Sequence, residues 1–327
     1  MIGRARASRT HEPRELPTPM RAARLESLAL LALCGGALAI GTSGIFVRLS
    51  ETGPTATAFW RGLLALPALA AWALIERRPG TAPGAHLRAL LGGFRDPALL
   101  WAGVFFAGDL ALWHWSLLLV PVAVSTLEAN CAPIVVTLTA WALWGERPRL
   151  GFVLALTLAF AGMLLILGAK LAHGGVLLGG DLLGLGTACF YGFYLLAVAR
   201  LRVRYSTGAV MFNTTLVFTV LLLPIALTQQ FLPHSAHGWL LLIGCALLAQ
   251  ALGQGLIAYA LAHLPATFGS VALYVQVVAS AVYAWLLLGE RLTRWQLAGG
   301  AVVLVAIALA RVAGRAAVRT QQPAPAS

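Results

Sequence analysis

Four ionisable side chains stand inside long apolar runs: Arg61 in FWRGLLALP, Asp109 and His114 in GDLALWHW, and Glu128 in STLEAN. A charge in hydrocarbon costs at least about 2.5–3.5 kcal/mol, so such residues are the first candidates for a substrate or ion path. A buried carboxylate balanced between its burial and a nearby arginine can take up and release a proton. Arg61, His114 and Glu128 lie at similar depth, roughly 8–9 Å from one end of their runs at 1.5 Å per residue, and Asp109 lies near the middle. Two readings stay open for Arg61 and Glu128. They form an ion pair that fixes helix packing, with His114 alongside, or they belong to a ligand site in which Asp109 or Glu128 exchanges a proton.

His114 has no second His or Cys at ligand spacing, so it reads as a hydrogen-bonding residue and no metal site is expected. Gln250 and Gln254 are four apart and share one face of a helix. Tyr274 and Gln276, with Asn213, Tyr191 and Tyr194, are further candidates, either for hydrogen bonds between helices or for ligand contact. One charged wall facing an amide- and aromatic-lined wall suits a small polar or zwitterionic molecule.

The elements that must position these groups follow from composition. The chain is 60% hydrophobic and 10% charged, against about 25% charged in soluble domains. It cannot build a water-facing surface. Apolar runs of bilayer-spanning length, about 17–25 residues, recur to give ten expected spans: 27–49, 55–75, 97–119, 122–144, 149–169, 181–200, 208–229, 238–262, 266–288 and 295–313. The fold class is therefore an all-α polytopic membrane protein, with the lipid bilayer as its surroundings.

Net charge +12 does not point to nucleic acid, because of where the charges fall. With the N-terminus inside, eighteen basic residues lie in cytoplasmic segments and four outside, and Arg61 is within a span. That asymmetry is the positive-inside bias. The ten tryptophans fall near span ends, as an interfacial belt requires. Cys34, Cys131, Cys189 and Cys245 occupy different spans without CxxC spacing and read as packing residues. Residues 1–26 read as a disordered cytoplasmic tail, followed by an uncleaved first helix too long for a signal-peptide core. Residues 314–327 read as a second unstructured tail, also cytoplasmic.

Residues 115–147 lie over 259–291 without a gap. Pro121 falls on Pro265, Trp141 on Trp285, and Gly145-Glu146-Arg147 on Gly289-Glu290-Arg291. The glycine-rich stretch 170–180 separates a first repeat, 27–169, from a second, 181–313. Five helices start and end on opposite faces, so the second unit is expected upside down. FWRGLLALP and FNTTLVFTVLLLP, in the second span of each half, share only an opening Phe and a closing Pro. In the register of the longer match, Asp109, His114 and Glu128 fall on Gly253, Ala258 and Ala272, which places the charges in one half only. Glu146 and Glu290, at helix exits, read as corner structure. Gly184, Ala188 and Gly192 read as a close-packing stripe.

The pieces FWRGLLA, APIVVTLTAWALWGER and VQVVASAVYAWLLLGER, in two five-span repeats, resemble the EamA family of the drug/metabolite transporter superfamily over about residues 27–313. The resemblance implies a ten-helix inner-membrane carrier of small organic metabolites, often an exporter of amino acids or related compounds, with no cofactor. The second repeat departs from the family pattern at Gln276-Val277, where the family commonly has a Pro.

No phosphate-binding GxxxxGK[ST] occurs, so a self-contained ATP-driven pump is not expected. No HExxH or GxSxG accompanies Asp109, His114 and Glu128, and no catalytic residue is assigned. A secondary carrier is the first reading. An intramembrane enzyme or a channel-like facilitator using that cluster is the alternative. Protons as coupling ion and a homodimer are left open.

Overall fold

In the computed structural model, the described residues are 19–76, 96–119, 128–145, 148–171, 178–265, 269, 273–288 and 294–321. Pro121, Glu146, Arg147, Glu290 and Arg291 fall outside them. Among the described residues the regular structure is all helix, as lipid requires: with no water to bond to, each backbone N–H and C=O needs a partner in its own helix. Six stretches are long and apolar enough to cross a bilayer: Arg24–Leu49, Pro54–Ile75, Pro97–Ser116, Leu182–Leu201, Thr207–Ala226 and Ala236–Ala260. Four shorter apolar helices, Ala132–Trp144, Leu150–Gly162, Val275–Leu287 and Leu297–Ala310, accompany them.

In chain order the helices are α1 (Pro19–Gly41), α2 (Ser43–Leu49), α3 (Pro54–Ile75), α4 (Pro97–Leu119), α5 (Ala132–Trp144), α6 (Leu150–Leu171), α7 (Leu178–Leu201), α8 (Thr207–Ala226) and α9 (Ala236–Gly244). A π-helical stretch Cys245–Gln254 follows α9 without a break, then α10 (Gly255–Ala260), α11 (Val275–Leu288) and α12 (Arg294–Gln321). Two outer helices exceed expectation: α1 starts at Pro19 and α12 continues to Gln321, past the boundary drawn at 313. Their added residues include Arg and Ala, which are good helix formers. Gly145 ends α5 at φ 69°, its N–H meeting the Ala140 and Trp141 carbonyls, the left-handed conformation glycine adopts without steric cost.

Packing is mostly between halves. Helix α3 lies on α8, α4 on α7 and α8, α6 on α12, and α5 on α7, while α1 lies on the π stretch, α10 and α11. The α3–α8 pair is capped reciprocally. After α8, Gln229 Oε1 accepts from Thr55 N (2.9 Å) and Ala56 N (3.3 Å) at the start of α3. After α3, the Glu76 carboxylate accepts from Thr207 N (3.1 Å) and Gly208 N (2.8 Å) at the start of α8. Each helix thus satisfies the orphan N–H groups that open the other. Both caps form only because the two helices run antiparallel. The weak match of FWRGLLALP with FNTTLVFTVLLLP therefore corresponds to a close spatial pairing.

The interior of the bundle is aromatic. Phe106 of α4 stacks on Tyr194 of α7 with centroids 4.3 Å apart, and meets Phe218 of α8 edge-on at 5.1 Å. Phe105 meets Phe193 at 5.5 Å, and Leu112 lies over Gly186. Numbers rise along α4 as they fall along α7, so these two helices are also antiparallel.

Candidate functional site

Arg61 is 2% exposed on α3. Its Nε donates to Gln250 Oε1 (3.0 Å) and its Nη1 to Ser43 Oγ (3.1 Å). Gln250 in turn donates from Nε2 to Thr215 Oγ1 at 3.0 Å. The arginine of the first half is thereby fixed by a glutamine of the π stretch, which a threonine of α8 orients. Gly62, the next residue on α3, lies against Phe218 and Thr219 of the same helix α8.

Arg61 is not paired with Glu128, one of the two arrangements expected from sequence. The Glu128 carboxylate packs against Gly184 of α7, where a Cβ would overlap it. Depth along the membrane normal placed Arg61 and Glu128 level. It said nothing about which helices stand side by side. Gly192, two turns on, abuts Val135 of α5, so the small-residue stripe of α7 does serve close helix packing. It also makes room for a carboxylate.

Asp109 is 8% exposed on α4. It lies within the electrostatic reach of Arg61, Tyr191 and Tyr194. Its carboxylate makes no hydrogen bond among the described residues. The antiparallel register puts Asp109, one turn beyond Phe106, opposite Tyr191, one turn before Tyr194. The Tyr191 hydroxyl faces the Gln254 amide without a hydrogen bond of normal geometry, and both the hydroxyl and Gln254 Oε1 are buried without partners. Tyr194 is satisfied by Met211 Sδ at 3.6 Å.

His114, also within reach of Arg61, bonds through Nδ1 to the Leu110 carbonyl at 2.6 Å. That contact makes Nδ1 the donor, and it leaves Nε2 a buried acceptor with no partner. Tyr274, just ahead of α11, buries a hydroxyl without a partner close to Cys131. Gln276 opens α11 where its carbonyl approaches Gly41 of α1. Among the described residues no group of three or more His, Cys, Asp or Glu is arranged to hold a metal.

Of the residues expected from sequence, Arg61, Asp109, His114, Gln250 and Gln254 converge on one region. Glu128, Tyr274 and Gln276 belong to the contacts around α5 and α11. Sequence reasoning missed Ser43 and Thr215. Small hydroxyls are common in membrane helices and carry no mark of their own. Laying Phe59 over Phe212 would have brought Arg61 within one position of Thr215.

A family model for EamA-like transporters matches residues 27–168 and 178–312. The chain belongs to the EamA-like transporter family. As a member of that family it is a multi-pass membrane transporter, consistent with its apolar helices. The pseudopaline exporter CntI of Pseudomonas aeruginosa strain UCBPP-PA14 is 28% identical over 217 residues, covering 66% of this chain and 75% of that protein. The protein of the same name from strain PAO1 matches to the same extent. A protein of known crystal structure superposes with TM-score 0.70 over 91% of this chain and 99% of its own, at 18% identity, which shows a shared fold.

Proposed function

We propose that this EamA-like transporter is a secondary carrier that moves small polar or zwitterionic metabolites, such as amino acids and related compounds, outward across the inner membrane. Its repeats, 27–169 and 181–313, act as inverted five-helix halves that rock about the polar site, with both termini cytoplasmic. The observation that carries this reading is the Arg61–Gln250–Thr215 chain. A buried charge of one half is held by a glutamine of the other, itself anchored by a threonine of that half, along the seam where the halves must move. The antiparallel, reciprocally capped α3–α8 pair supports the inversion. So does the packing pattern: contacts of α1 with the π stretch and α11 are matched by contacts of α7 with α4 and α5. Outward direction is supported by the relative that is named an exporter of pseudopaline.

Asp109 is the better-placed group for proton coupling, since it shares the Arg61 region and Glu128 does not. The test is flux into proteoliposomes. A carrier shows saturable uptake and counterflow, whereas a channel conducts without counterflow and an enzyme alters the compound without a gradient. Cysteines placed at 147 and 291 should label from opposite sides of the membrane. Labelling from one side, or flux without counterflow, overturns the proposal.

A further inference from the structure

Arg61 and Asp109 are opposite charges buried in the same apolar region, yet they do not close into an ion pair among the described residues. Left free, a guanidinium and a carboxylate in low dielectric form a bidentate pair, the strongest hydrogen-bonded contact open to either. Here the arginine is tethered away by Ser43 and Gln250, and Gln250 is itself anchored by Thr215. The separation is built by neutral side chains of α2, the π stretch and α8.

Among the described residues no donor around Asp109 reaches its carboxylate. The carboxylate and Gln254 Oε1 are both acceptors, each on a residue more than nine-tenths buried. The Tyr191 hydroxyl, which can give only one hydrogen, has no partner either. An anionic ligand end would add acceptors to acceptors. A primary ammonium brings three N–H donors and a positive charge, matching the three groups. Beside them stand the Tyr191 and Tyr194 rings, 6.0 Å between centroids, with Phe106 stacked on the second. Aromatic faces attract organic cations, and they give the carbon skeleton of an amine a surface that an alkali ion could not use.

We infer that Asp109, Tyr191 and Gln254 form an ammonium-binding subsite, set across from Arg61 so that a zwitterionic solute bridges the two charges. The inference rests on the carrier reading above and names the solute class for that site. In it Arg61 meets the anionic end, Asp109 the amine, and Thr215 acts on the solute only by positioning Gln250 and hence Arg61.

The experiment uses the full chain, purified in detergent and then reconstituted. The probes are standard α-amino acids, their N-acetyl derivatives and the corresponding decarboxylated amines. A ligand that binds only the folded protein raises its melting temperature. Amino acids should raise it most and be transported, the decarboxylated amines should raise it less, and N-acetyl partners should act at least tenfold less effectively than their parents. Asp109→Asn should abolish that preference, Asp109→Glu should retain part of it, and Tyr191→Phe should weaken it several-fold. Arg61→Gln should erase the distinction between amino acid and amine. Each variant is checked for a monodisperse elution profile, and Asp109→Glu guards against misfolding of the amide variant. Equal response to parent and N-acetyl compounds, a preference unchanged in Asp109→Asn, or a response to sodium or potassium ions alone overturns the subsite. Transport of anionic or neutral solutes that ignores Asp109 overturns the subsite and leaves the carrier standing. Absence of flux for every charge class overturns both.

Discussion

Arg61 and Asp109 sit in the same half of the bundle and are buried to nearly the same degree, yet their surroundings differ in kind. Around Arg61, Ser43 and Gln250 accept the guanidinium's hydrogens and Thr215 steadies the glutamine. Around Asp109 two nearby polar atoms, the Tyr191 hydroxyl and Gln254 Oε1, are themselves buried without partners. Burial marks both residues as unusual. Only the hydrogen-bond inventory separates a charge whose desolvation the resting fold already compensates from one that still lacks a partner.

The largest effect that could break this contrast is on stability. Arg61→Ala should leave a cavity and strand Gln250 Oε1 and Ser43, lowering stability by about 2–4 kcal/mol in unfolding from detergent micelles. A loss under about 1 kcal/mol would put Arg61 in the same class as Asp109. Gln250→Leu should cost about 1–3 kcal/mol, because Arg61 Nε loses its acceptor and Thr215 its donor. Thr215→Val should cost about 1 kcal/mol; a larger loss would mean that threonine holds more than Gln250. Asp109→Asn should be neutral or stabilising by up to about 1 kcal/mol while transport falls at least tenfold. A destabilisation equal to that of Arg61→Ala would reveal that the carboxylate has a structural partner.

Acid titration gives the smallest and most selective effect. Outside the spans, the Ser235 hydroxyl and the backbone N–H groups of His234 and Ser235 hold the Glu51 carboxyl below its ordinary range. The Tyr205 hydroxyl (2.6 Å) and then Ala98 N (2.9 Å) do the same for Asp96. A folded-state pKa below the unfolded one contributes stability that is fully present above the unfolded value, near 4. That contribution is lost as pH falls through the folded value. Thermal scans between pH 5 and 3, roughly bracketing those values, should show a small loss. The double variant Glu51→Gln, Asp96→Asn removes it and Asp109→Asn leaves it in place. Disappearance of the loss in Asp109→Asn would assign it to the interior.

Much of the site was legible because charge in hydrocarbon is rare enough to notice. Arg61, Asp109 and His114 were found on that ground, and Gln250 and Gln254 by their spacing on one face. The supposed partnership of Arg61 with Glu128 was not legible. Spacing along a helix fixes height in the membrane and direction around that helix's own axis, but not which helix lies opposite. The π stretch had no signal either: its sequence, CALLAQALGQ, is as compatible with an α-helix. The caps by Glu76 and Gln229 went unseen because each side chain acts about 130 or more positions from its own place in the chain.

By itself, the sequence determined that the chain is a bundle of apolar helices with one charged half and one amide-bearing half. Those properties follow from transfer free energies and helical periodicity, which act residue by residue. The tertiary structure alone decided that Arg61 is held by Gln250 and Ser43, that the Glu128 carboxylate packs against Gly184, and that Asp109 faces Tyr191. In a bilayer the hydrophobic effect does not choose between apolar neighbours. Partners are set by close packing and hydrogen bonds between helices, which depend on how the halves meet.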